Sequence, residues 1–140
     1  MENTGELLGP DLALAEVTKW LDAKKIKASK RQAYQHQIDV LVDGFVDGSL
    51  VFDEESHSLT QKLSFPVGDD KGKVLLDKLI FKPRLRVGEL TQYLKGVASD
   101  DADGRVISYV ACISENAPAL IRKIDTVDYS LASAVVVFFA

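Results

Sequence analysis

The chain is poor in the residues that carry chemistry. Its 140 residues include one cysteine, two histidines, one tryptophan and one methionine. A single cysteine, Cys112, excludes a disulfide framework and a cysteine-based metal site. It lies in the apolar run Val110-Ala111-Cys112-Ile113, which reads as a buried small residue rather than a nucleophile. His36 and His57 stand in no His/Asp/Ser or His/Cys arrangement, so acid–base and triad chemistry have no carrier. Excess positive charge is also missing. The net charge of −4 and pI near 5.1 argue against a dedicated nucleic-acid binder. No apolar run approaches the length of a membrane span. The opening Met-Glu-Asn-Thr-Gly-Glu has neither the basic nor the apolar region of a secretory leader. The expectation is a soluble, cytoplasmic protein without enzymatic activity, cofactor, bound metal or membrane partner.

What is present suits a packed domain. Apolar residues make up 46% and charged residues 27%, enough to bury a core and too apolar for general disorder. The length fits one domain, with or without a small N-terminal appendage. Charge is unevenly spread. Residues 19–31 hold Lys19, Lys24, Lys25, Lys27, Lys30 and Arg31, whereas residues 39–55 hold Asp39, Asp43, Asp47, Asp53, Glu54 and Glu55 with no Lys or Arg. A basic arm beside an acidic face could serve self-association, and a solvated helix surface explains it more simply.

The hydrophobic period divides the chain. Asp11 is a candidate N-cap for a first helix with Leu14, Val17, Trp20 and Leu21 on its apolar side, fading near Lys25. Ser29 with Gln32 reads as a capping box for a second helix. Its stripe is Tyr34, Ile38, Leu41, Val42 and Phe45, and Gly48 marks its stop. The pattern then alternates. Ser49–Asp53 and Leu59–Phe65 predict a hairpin closed by Pro66, and Val74–Lys82 a third strand stopped by Pro83. Helical patterns return at Val87–Leu94, around Val106, Tyr109, Val110 and Ile113, after Pro118, and from Asp125 to the end. The predicted fold is α+β. An N-terminal helical hairpin over residues 1–48 precedes a three-stranded antiparallel meander and a C-terminal helical cluster over 49–140, as one compact unit.

Three local patterns suggest chemistry and fail on spacing. Gly68-Asp-Asp-Lys-Gly72-Lys73 is one residue short of a phosphate-binding loop and has Val74 where its Ser or Thr belongs. Asp101-Ala-Asp103-Gly104 resembles the start of an EF-hand loop. Ser99 and Val110 would occupy its first and bidentate ligand positions, so a helix N-cap turn explains the acids better. His57 follows Asp53, Glu54 and Glu55, but successive hairpin residues alternate in direction and do not converge on a metal. The helix–turn–helix outline of residues 11–47 carries Lys24, Lys25, Lys27, Lys30 and Arg31 near its turn. Asp39, Asp43 and Asp47 on its second helix would repel a duplex.

The closing run Ala134-Val135-Val136-Val137-Phe138-Phe139-Ala140 has two readings. Either it tucks into the core, or it is an apolar patch that pairs with a partner or another copy. Uncovered, it would be an aggregation hazard. The candidate partner-binding residues are Val135, Val136, Val137, Phe138 and Phe139, with Tyr129 at their edge.

The order of features from Leu59 to Phe139 resembles the tail assembly chaperones of long contractile-tailed phages and prophages. Leu59, Leu63 and Pro66 resemble that family's opening strand, and Leu79-Ile80-Phe81 with Arg84 and Leu85 its second strand. Gly88-Glu89-Leu90 is similar to the helix start that follows, and Ala111, Ile113 and Ser114 to the end of a later helix. Leu120, Ile124-Asp125, Asp128-Tyr129 and Ala132 resemble its closing helix. The first 50 residues have no counterpart. The resemblance implies a non-catalytic viral protein that binds an apolar, helical tape-measure protein and keeps it soluble before the tail tube polymerises. The alternative is a structural virion component, such as a tail terminator or connector subunit.

Overall fold

A computed structural model describes residues 8–140. The architecture is mixed, with seven α-helices and one three-stranded antiparallel sheet among the described residues, and helices at both ends. Helix α1 (Pro10–Ala23) opens behind Gly9, with Pro10 at its first position, so Asp11 lies inside the first turn rather than capping it. Proline suits that place because its missing N–H has no partner there in any helix. Ala13, Val17, Trp20 and Leu21 form its buried face, whereas Leu14 is exposed.

The predicted second helix is two. Helix α2 (Ala28–Ala33) ends at Tyr34, whose backbone leaves the helical region, and α3 (Gln35–Val46) begins there. No side chain caps α2, so the expected Ser29 capping box is not formed. The break falls at the residue whose ring packs edge-on against Phe138, 5.9 Å between centroids. Ile38, Leu41 and Phe45 of the predicted stripe are buried. Gly44 lets α3 approach its neighbours closely, since a Cβ there would lie 2.9 Å from Leu50 Cδ1 and 3.2 Å from Leu131 Cδ1.

Strands β1 (Leu50–Phe52), β2 (Leu59–Gly68) and β3 (Val74–Phe81) pair in sequence order. Leu59, Gln61, Leu79 and Phe81 are buried on the inner face, while Lys62 pairs opposite Lys78 on the outer face. Pro66 does not end β2. The register jumps between Lys62/Lys78 and Val67/Leu76, leaving Leu63–Pro66 as a bulge, a position that tolerates a residue with no N–H to give.

Helix α4 (Val87–Leu94) starts where Glu89 accepts the Arg86 N–H at 2.9 Å. Helix α5 (Ala102–Ser114) is capped by Asp101, whose carboxylate accepts the Gly104 N–H at 2.9 Å. The single-turn α6 (Pro118–Ile121) leads to α7 (Thr126–Val136), capped by Asp125 through the Val127 N–H at 2.9 Å. A 3-10 turn, Val137–Phe139, follows. The inner sheet face packs on α3, α5 and α7, and α1 packs on α3. Buried side chains from α1, α3, the sheet, α5, α7 and the final turn form one contiguous core.

Candidate interaction site

Helix α7 is apolar nearly all round at its C-terminal end, and such a helix belongs inside a core. Val135 and Val136 are buried accordingly, and Phe138 is 2% exposed. Phe138 sits edge-on to Trp20 at 5.8 Å as well as to Tyr34, and Phe139 lies 6.1 Å from Trp20. The expectation of an exposed partner surface is thereby corrected at Val135 and Phe138: both are core residues, and Trp20 and Tyr34 already hold the Phe138 ring. Val137 and Phe139 are half-buried. Tyr129 is half-buried about two turns earlier on α7, away from the tail's edge, and burial raises its phenol pKa.

The tail still contributes to a surface. Val136, Val137 and Ala140 line an open cleft of about 400 Å³ together with Val106, Tyr109 and Ala102 of α5. Its wall is mainly apolar. Arg105, Asp100 and Ser99 supply the polar rim. Arg105 forms no ion pair among the described residues. The shape and lining suit apolar side chains from one face of a partner, with an acceptor group beside Arg105.

Beside the tail lies a cation that sequence reading treated as solvated. Lys24 is 9% exposed. Its Nζ stands 3.3 Å from the Phe139 ring centroid and donates to the Pro83 carbonyl at 3.3 Å. Burial, with Arg84 and Lys30 as neighbouring like charges, lowers its pKa to about 7. The signal was in the register, because Lys24 continues the buried row Val17, Trp20 and Leu21 by one further turn. The rest of the basic cluster is also partly occupied. Arg31 pairs with Asp22 at 2.8 Å and donates to the Ile26 carbonyl, and Lys30 Nζ donates to the Ala140 carbonyl.

Asp128 is the second group that pattern alone did not find. It is buried on the first turn of α7, and its two carboxylate oxygens accept the Ser64 and Phe65 N–H groups that the β2 bulge takes off the ladder. Gln61 Nε2 donates to the Asp128 backbone carbonyl at 2.9 Å. Spacing against Leu131, Ala132 and Val135 places Asp128 on the inward side of α7, which was the available clue.

The remaining sequence candidates stay apart. His36 is exposed on α3. His57 is exposed in the β1–β2 turn and stacks on Phe52. Cys112 is buried, and burial pushes its thiol pKa up, away from a reactive thiolate. Among the described residues, no group of three or more His, Cys, Asp or Glu is placed to hold a metal ion, and no helix is long and apolar enough to cross a membrane. No family model, no curated protein and no solved structure matches the chain.

Proposed function

We propose that this chain is a binding protein for an apolar helical client, of the tail assembly chaperone kind, and that it acts without catalysis. The observation carrying the proposal is the apolar cleft between α5 and the chain's closing segment, to which Val136 and Val137 contribute directly. The order of strand, helix and Asp-Tyr features from Leu59 to Phe139 supports the same reading. A tape-measure-type protein is a long helix that cannot bury its own apolar stripe, and a transient partner with a small apolar cleft and polar rim covers part of it reversibly.

Co-expression of the chain with such a client tests the reading. The chain is expected to keep the client in the soluble fraction. Ala102→Glu puts a charge at the cleft mouth, on an exposed first-turn position where a helix tolerates acid. That variant is expected to fold normally and lose the solubilising effect. Retention of the chain in purified particles would instead favour the structural-subunit reading.

A further inference from the structure

Helices cover one face of the sheet; the other is open and has its own polarity. Across the three strands Val51, Thr60 and Ile80 lie opposite one another on the outer face, and Ile80 is 46% exposed. These residues form the floor of a shallow groove of about 670 Å³ whose wall is the acidic turn Asp53-Glu54-Glu55. Two residues further along the strands, about 7 Å away, the next row is Lys62 opposite Lys78. Neither lysine has an ion pair among the described residues, nor has Glu55, whereas Glu54 is held by Lys19 at 2.9 Å. Like charges directly opposite in a ladder are destabilising, so the Lys62–Lys78 row costs stability unless an anionic group lies over it.

Three strands about 4.8 Å apart span roughly 10 Å, the diameter of one helix with its side chains. The face thus has the width of a helix, a middle row in which Val51 and Ile80 flank Thr60, an acidic end and a basic end. We propose that this outer sheet face docks an amphipathic helix of the client, with its basic end over Glu55 and its acidic end over Lys62 and Lys78. The assignment rests on the helical-client reading above and adds to it a second surface, a direction and a charge pattern. Ile80 is the apolar anchor. The lysine row sets the direction, since the reversed helix would bring cations onto Lys62 and Lys78.

The test uses two fluorescently labelled synthetic helical peptides of about 18 residues, long enough to cross the sheet. Both carry one apolar stripe and the same charged residues. In the first, Lys is confined to one end and Glu to the other; in the second, the charges are interspersed. Anisotropy titration is expected to show the segregated peptide binding about 10-fold or more tighter than the interspersed one. Ile80→Asp is expected to weaken the segregated peptide about 10-fold or more. The double change Lys62→Glu with Lys78→Glu is expected to abolish the preference while the fold is retained. Equal binding of both peptides, no binding of either, or insensitivity to Ile80→Asp overturns the proposal. So does a homodimer that Ile80→Asp dissociates, because a second copy then covers the face. If Ile80→Asp still holds a client that the wild-type chain holds, the surface is wrong and the chaperone reading stands. If the wild-type chain holds no client, that reading itself fails.

Discussion

Asp128 Oδ1 accepts the Ser64 N–H at 2.7 Å, and Asp128 Oδ2 accepts the Phe65 N–H at 3.0 Å. One carboxylate thus takes up two part-buried donors that the bulge removes from the ladder, and it ties α7 to β2 across 64 residues of sequence. Its place in the first turn of α7 adds a favourable interaction with the helix dipole. Asp128→Ala removes both acceptors, and Asp128→Asn leaves one oxygen and turns an amide donor toward the other N–H. Each is expected to cost about 2–4 kcal/mol in chemical denaturation. A loss under about 0.5 kcal/mol would show that water satisfies the bulge instead.

Gln61 carries a contrasting prediction. It is fully buried, and its Oε1 has no partner among the described residues. Its one bond goes to the Asp128 carbonyl, which already lies within the backbone ladder of α7. Gln61→Met removes an unpaired buried acceptor and keeps the volume. The denaturation midpoint is expected to hold or rise, and a loss above about 2 kcal/mol would show that Gln61 Oε1 accepts a hydrogen bond from water.

Lys24 makes stability depend on pH. Its pKa is about 7 in the folded chain and 10.5 as the ordinary value. Below about pH 7 both folded and unfolded chains hold the proton; from about 7 to 10.5 only the unfolded chain does, so stability rises with pH across that window. The Phe139 face opposes part of the burial cost through its cation–π contact. Lys24→Met is expected to flatten that rise and to gain about 1–3 kcal/mol at neutral pH or below. Urea midpoints measured between pH 6 and 10 check both statements. A wild-type midpoint that does not rise between these limits would place the Lys24 charge in solvent.

Phe138 reports on the tail. It fills the slot between Trp20 and Tyr34, so Phe138→Ala leaves a cavity against the only tryptophan. The expected cost is about 3–5 kcal/mol. Trp20 emission should shift to the red as water reaches the ring. Unchanged emission and stability would mean that the final turn does not dock in solution. Deleting Val135–Ala140 removes three buried core residues and should destabilise the whole fold, so it cannot isolate a binding surface.

Local pattern revealed what local forces decide. The α3 stripe, the three-stranded meander and the N-caps Asp101 and Asp125 follow from helical period, strand alternation and capping chemistry within a few residues. The helix break at Tyr34, the passage of β2 through Pro66 and the burial of Lys24 and Asp128 depend on partners far along the chain. An apolar tail shows that something must cover Phe138, but not that Trp20 and Tyr34 do so. The cleft behind Ala102 and the polarity of the outer sheet face arise only once strands are in register and helices are packed.

Affinity capture of the tagged full chain from its native cells during particle production, with the co-purifying proteins identified by mass spectrometry, decides whether the chain binds a helical client. One very long, helix-rich tail protein is expected at near-stoichiometric level, depleted by Ala102→Glu. Recovery of the chain alone, as a defined ring or dimer, would contradict client binding.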